Sequence, residues 1–174
     1  LLVLKKATYA AFMDLASFFD TISPAVVSLA SRAMGAPLKM ARYIHEVYKW
    51  SNATVRTAAG MEKTPIWRGF KQGGRFSTTA AKIALAELNR VIRPKHQGVD
   101  AGPCFGENIV DMEYGDDEML LGETPMKTKK LVEEWAEKAT ERGMGVQAKK
   151  TLGRKWGVNY TPKVKIHLGG TDIP

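Results

Sequence analysis

The chain has 174 residues and a mass of 19.2 kDa, a length that suits one compact domain rather than two. Apolar residues make up 44% and charged residues 25%, which excludes collagen-like, low-complexity, coiled-coil and wholly disordered chains. The 26 Lys and Arg against 18 Asp and Glu leave a net charge of +8, which favours polyanionic partners.

The single cysteine, Cys104, can form no internal disulfide and excludes a cysteine-rich zinc cluster, so we expect an intracellular, reducing compartment. No apolar run approaches the roughly 18 residues that span a bilayer. Because the sequence begins with Leu1 and further apolar residues, we expect it to be a piece of a longer polypeptide.

The first third of the chain predicts one strand and two helices. Residues 7–15 are apolar on both faces, as in a buried central strand, and this strand ends near Asp14. Ser23 and Pro24 begin a helix that continues to about Met34 and is stopped by Gly35. A second helix follows from Pro37 to about Ser51.

The middle of the chain predicts a hairpin, a loop and a long helix. Residues 53–58 and 63–67 form the arms of the hairpin, and residues 69–74 form a glycine-rich loop. Ser77 can cap the long helix, which Pro94 closes.

The last third predicts a second hairpin, a helix and a basic tail. Strands over 108–114 and 118–121 meet at Asp116 and Asp117. An amphipathic helix over 125–142 turns four residues inward, namely Leu131, Val132, Trp135 and Ala139. The order of elements predicts an α+β fold with helices on one face of an antiparallel sheet.

Three carboxylates, those of Asp14, Asp116 and Asp117, are predicted at strand ends. Brought together, they stay ionised only if a cation lies between them, and oxygen-only ligands select Mg²⁺ or Mn²⁺ over zinc. Both neighbouring aspartates can reach a metal only if the hairpin tip is a turn, which Gly115 permits. The alternative is that the pair is a solvated turn of a common kind.

Five segments resemble, in the same order, the motif blocks of reverse transcriptases of the non-LTR retrotransposon and group II intron type. Their sequences are MDLASFFD at 13–20, RGFKQGGRFS at 68–77, YGDD at 114–117, GMGVQAKKT at 143–151 and HLG at 167–169. The similarity extends over about residues 7–170. The resemblance implies one polymerase palm domain over residues 1–174, with an RRM-like or ferredoxin-like core, and fingers and thumb portions outside this chain.

The same resemblance implies an RNA-directed DNA polymerase that joins a dNTP to the 3′ hydroxyl of a DNA primer on an RNA template. Asp14 and Asp116 would bridge two Mg²⁺ or Mn²⁺ ions, with Asp117 a weaker ligand. Lys150 would protonate the departing pyrophosphate, although an ordinary solvated lysine is the alternative.

The resemblance also implies nucleotide-binding and primer-binding residues. Phe19 falls at the steric gate against a ribose 2′ hydroxyl, unless it merely fills an apolar corner. The other nucleotide-binding residues are Leu15, Gln72 and Gly73. The primer-binding residues are Tyr114, Gly115, His167, Leu168 and Gly169. Lys149, Arg154 and Lys155 belong to a basic segment with interleaved aromatic rings, which favours nucleic acid or is simply a solvated tail.

Several positions depart from the family pattern. Gly74 and Arg75 replace an Asp-Pro pair, and Asp111, Glu113 and Glu118 place acids beside the Asp pair where the family is usually apolar. This charge is expected to recruit cations or repel primer phosphates.

Two functions therefore remain open. One is a retroelement polymerase, for which we expect a nuclear location; the other is a catalytically silent palm that serves as a structural or RNA-binding subunit beside other proteins. A plain RNA-recognition domain is a weaker third interpretation, because the aromatic RNP motifs are not visible. The polymerase hypothesis requires Asp14 and Asp116 close together, with no lysine or arginine filling the space between them.

Overall fold

The structure is a computed structural model that describes residues 8–103, 105–148, 150–156, 166–168 and 171–173. Its chain divides into two compact units, one of residues 1–16 and 88–174 and one of residues 17–87. Across the described residues, none of the helices combines the length and the apolar character needed to cross a membrane.

The elements alternate between short strands and helices along the chain. The strands are β1 (Thr8–Met13), β2 (Leu15–Ala16), β3 (Asn52–Thr57), β4 (Gly60–Pro65), β5 (Asp111–Tyr114), β6 (Asp117–Gly122), β7 (Gly145–Val146), β8 (Leu152–Trp156), β9 (Ile166–Leu168) and β10 (Thr171–Ile173). The helices are α1 (Phe18–Thr21), α2 (Pro24–Ala33), α3 (Leu38–Lys49), α4 (Ser77–Ile92) and α5 (Pro125–Glu141), with a 3₁₀ turn at Arg93–Lys95.

The first unit is built on a four-stranded antiparallel sheet in the order β5-β6-β1-β8. The central strand β1 is apolar, and Ala10, Ala11 and Met13 are buried in it. Helix α5 packs on β1 and β6 and buries Leu131 and Trp135, together with the other residues predicted to face inward. The predicted α+β fold is thereby confirmed.

The second unit contains α1 to α3, the β3–β4 hairpin and the glycine-rich loop. Helices α2 and α3 are joined by a hydrogen bond of 2.7 Å from the Ser28 hydroxyl to the Ala41 carbonyl. Phe70 is buried against the ring of Tyr48, with the ring centroids 4.3 Å apart, so the loop is anchored to α3. The predicted hairpin is confirmed, with its first arm one residue earlier than expected and its second arm at 60–65 instead of 63–67.

Local signals placed the helix ends well, with one difference at Ser77. Helix α2 begins at Pro24, and Gly35 follows its end with a φ of +95°. Ser77 is the first residue of α4, and its hydroxyl donates to the Lys71 carbonyl at 2.6 Å instead of capping the helix. That acceptor lies in the preceding loop, which no helix-start pattern reveals.

Candidate active site

The end of the central strand brings Asp14 beside the acidic hairpin. Strands β1 and β6 pair antiparallel, and their last pair is Met13 with Glu118. The next residue of each chain segment is therefore Asp14 on one side and Asp117 on the other. Two of the three predicted carboxylates accordingly belong to adjacent strand ends at one edge of the sheet.

The tip between β5 and β6 is a two-residue turn. Tyr114 pairs with Asp117, which leaves Gly115 and Asp116 as the turn residues. Gly115 has a φ of +70°, as the first position of a tight hairpin turn requires, and a Cβ there would meet nothing within 4 Å. The glycine is thus needed for its backbone conformation. The predicted turn is confirmed at Gly115 and Asp116, whereas Asp117 is the first residue of β6.

Lys150 contacts the carboxylate of Asp14. Its Nζ lies 3.6 Å from Oδ2 of Asp14, while its own side chain is 64% exposed. The segment is positioned by backbone, because the Gln147 amide donates to the Asp14 carbonyl at 2.8 Å and Lys150 donates back to Gln147 at 3.0 Å. Pairing of Leu15 with Val146 continues this contact. Two of the sequence segments, 13–20 and 143–151, therefore meet here.

The donor set fits a hard divalent cation. Oδ2 of Asp14 is shut off from solvent and accepts no hydrogen bond, so the Lys150 ammonium is its charged neighbour. Asp116 and Asp117 are exposed at the adjacent tip and offer further carboxylate oxygens. Within the described residues, no three His, Cys, Asp or Glu side chains stand close enough to form one metal site. The residue types fit Mg²⁺ or Mn²⁺, and the side chains must draw together to bind it.

Comparison with known proteins identifies the family. The family model described as reverse transcriptase (RNA-dependent DNA polymerase) matches residues 2–161. The chain belongs to the reverse transcriptase family. It is 24% identical to the retrovirus-related Pol polyprotein from the type-2 retrotransposable element R2DM of Drosophila melanogaster, over 97% of this chain and 16% of that polyprotein. The predicted resemblance to the non-LTR type is confirmed.

Solved structures support the same fold for this reverse transcriptase domain. Telomerase from Candida tropicalis, in complex with a fragment of telomeric RNA, superposes with a TM-score of 0.66 at 11% identity, over 96% of this chain and 28% of that one. Telomerase from Candida albicans gives a TM-score of 0.59 at 14% identity, over 95% and 29% of the two chains. At these identities the likeness shows the fold, and the chain spans less than a third of each protein.

The hairpin of the reverse transcriptase domain carries a buried polar network that sequence reasoning did not find. The Asn89 amide nitrogen lies 3.2 Å from Asp111 and 3.1 Å from Glu118, and the Asn89 oxygen accepts from Trp135 Nε1 at 3.0 Å. Arg93 donates to both oxygens of Asp111 at 2.7 Å. The available signal was Asn89 itself, a polar residue on the apolar face of α4.

Glu118 is a buried acid within this network. It is 1% exposed, and its Oε2 has no hydrogen-bond partner. Burial, followed by repulsion from Asp111 and Glu113, raises the pKa of Glu118 to about 9. Glu118 is therefore protonated at neutral pH. The expected accumulation of charge beside the acidic pair is thus reduced by a proton on Glu118 and by Arg93 against Asp111.

The predicted nucleotide-binding residues lie in both units. Leu15 is buried in the first unit, so a nucleotide would reach its backbone rather than its side chain. In the second unit, the Phe70 amide donates to the Phe19 carbonyl at 2.7 Å, which joins the segments 13–20 and 68–77. Gln72 and Gly73 are exposed in this loop, and Gly73 has a φ of +78°.

The predicted primer-binding residues are only partly described. Tyr114 is 87% exposed at the hairpin tip beside Gly115. Arg154 is exposed on edge strand β8, and Lys155 belongs to the same strand. The remaining predictions are His167 and Leu168, which form part of β9, and Lys149 and Gly169, which lie outside the described residues.

Proposed function

We propose that this domain is the palm of an RNA-directed DNA polymerase, spanning residues 1–174, which joins a dNTP to a DNA primer on an RNA template. One observation carries the proposal: the pairing of β1 with β6 ends at Met13 and Glu118, so Asp14 and Asp117 occupy neighbouring strand ends, and Asp116 lies in the adjoining turn. Family membership supports the same chemistry.

Asp14 and Asp116 would hold two Mg²⁺ or Mn²⁺ ions, with Asp117 a weaker ligand. The ions, when bound, activate the primer 3′ hydroxyl and neutralise charge on the transferred phosphate. The unpartnered Oδ2 of Asp14 is ready to accept a cation without breaking a hydrogen bond. Asp116 is exposed in a two-residue turn, so its carboxylate can rotate towards Asp14 at little cost.

Lys150 would give up the proton on Nζ to the departing pyrophosphate. Its ammonium already lies 3.6 Å from Asp14, and the long side chain is exposed enough to turn towards a bound phosphate. The backbone hydrogen bonds between Gln147, Asp14 and Lys150 hold the base of this lysine beside the carboxylate. The Lys150 side chain is 64% exposed, so its ammonium can turn from Asp14 into water and a cation can replace it there.

Phe19 would select a deoxynucleotide, and the exposed loop at Gln72 and Gly73 would contact the incoming nucleotide. The support is local: the Phe70 amide bonds to the Phe19 carbonyl, so the gate residue and the loop are held together within their unit. The primer strand would meet Tyr114, Gly115 and Arg154, which are exposed.

The test is primer extension on an RNA template by the full-length protein with Mg²⁺ or Mn²⁺. We expect the wild type to extend and Asp116→Asn to lose several kcal/mol of transition-state stabilisation, roughly 10²–10⁴-fold in rate. Glu107→Gln removes an exposed loop acid and serves as the matched control, with activity unchanged. Synthesis by the wild type no greater than by Asp116→Asn would instead indicate a catalytically silent subunit.

A further inference from the structure

We propose that Asn89 is a positioning residue that holds Asp116 and Asp117, at the turn between β5 and β6, in place for the chemistry; this inference rests on the proposed function. The proposed role of Asn89 involves no contact with substrate. It acts through the two strands that carry the acidic pair.

The contacts of Asn89 reach both strands of the hairpin and a helix. Its amide nitrogen lies within 3.1–3.4 Å of one oxygen each on Asp111, Glu113 and Glu118. Its oxygen accepts from the indole of Trp135 in α5, which is fully buried. One side chain on α4 therefore joins β5, β6 and α5.

The hairpin has few other means of fixing its tip. Every residue from Met112 to Asp117 is exposed, so the turn gains almost nothing from apolar burial. The buried residues that flank this exposed stretch are Asp111 and Glu118, at 8% and 1% exposure. Both accept a hydrogen bond from Asn89, and Asp111 also accepts two hydrogen bonds from Arg93. The position of the turn therefore depends on polar contacts made at its base.

An asparagine suits this place because it offers two hydrogens and an acceptor from one short, rigid group. Leucine would fill the same volume but leave Trp135 and the carboxylates without partners in a dry interior. Aspartate would keep an acceptor for Trp135 and lose both donors. N89L therefore removes the contacts of Asn89 with both Trp135 and the hairpin, whereas N89D removes only the donors to the hairpin acids.

The test measures hydrogen–deuterium exchange of residues 111–118 in the full-length protein and, separately, Mn²⁺ affinity. We expect N89L and N89D to speed exchange of this segment about ten-fold and to weaken Mn²⁺ binding several-fold. Leu131→Ala is the control: it opens a cavity beneath α5 and lowers stability, and Leu131 makes none of the hydrogen bonds of the network.

Exchange at 111–118 that rises no more in N89D than in Leu131→Ala would overturn the proposal. Should the wild type neither bind Mn²⁺ nor extend a primer, the proposed function fails. The exchange measurement still decides whether Asn89 holds the turn.

Discussion

Burial of Glu118 makes the stability of this domain depend on pH in an unusual direction. The pKa of Glu118 is raised from an ordinary value of 4.5 to about 9 by burial and by its acidic neighbours. Between these two values the folded chain keeps a proton that the unfolded chain releases. The contribution of Glu118 is therefore fully present below pH 4.5 and is lost progressively as pH rises towards 9.

The magnitude follows from one proton. One retained proton changes the free energy of unfolding by at most about 1.4 kcal/mol per pH unit, so three units from pH 5 to pH 8 cost up to about 4 kcal/mol. Glutamine has the shape of the protonated acid, and its oxygen can accept from Asn89 as Oε1 does now. Glu118→Gln should thus match the wild type near pH 4.5 and exceed it in stability at pH 8.

The assay is urea unfolding of both proteins at several pH values, with the difference in unfolding free energy plotted against pH. In this difference, the contributions of groups that titrate in the same way in both proteins cancel. Glu133→Gln, a substitution on the exposed face of α5, is the control, and its free energy of unfolding should change with pH in parallel with that of the wild type. Parallel curves for Glu118→Gln and the wild type would show that Glu118 is ionised in the folded state, which refutes the reasoning.

Three further substitutions test the glycine-rich loop and Lys150. A Cβ on Gly69 would lie 2.8 Å from the Asp20 carbonyl oxygen at a φ of +92°, whereas a Cβ on Gly73 meets nothing within 4 Å at a φ of +78°. In thermal unfolding, we expect Gly73→Ala to lower the free energy of unfolding by about 1–2 kcal/mol and Gly69→Ala to lower it by about 1–3 kcal/mol more. Equal losses for the two variants would rule out the clash at Gly69. Lys150→Met should slow extension by roughly 10²–10⁴-fold while leaving stability within about 1 kcal/mol, and an unchanged rate would remove Lys150 from the mechanism.

Local signals were sufficient for most elements of the fold. Pro24, Gly35 and Gly143 mark helix ends through backbone conformation alone, so sequence predicted α2 and α5 within one or two residues. Strands β2 and β7 have two residues each, too few to leave a periodic pattern. Sequence did not predict the bounds of the strand Leu152–Trp156 or its pairing with β1, because that partner lies more than 130 residues away.

In the candidate site, too, residues within sequence motifs were predicted, whereas contacts between residues distant in sequence were not. A motif resemblance predicted both Asp14 and Lys150 as catalytic residues, and the structure places Lys150 Nζ 3.6 Å from Asp14 Oδ2, while the roles of both stay predictions. The network around Asn89 was not predictable, because its partners lie 22 to 46 residues away and no motif includes them. A single polar residue on an apolar helix face reveals a buried hydrogen bond but not its partner.

The acids near the turn bear on the proposed binding of a polyanionic substrate. Five acids occur between Asp111 and Glu118, which would repel any phosphate backbone if all were charged. Arg93 neutralises Asp111, and the raised pKa of Glu118 keeps that side chain uncharged at neutral pH. Uncompensated charge is thereby concentrated on the exposed acids at the tip, where a divalent cation would neutralise it. A metal-free hairpin should therefore repel nucleic acid, and binding of metal and of substrate should reinforce each other.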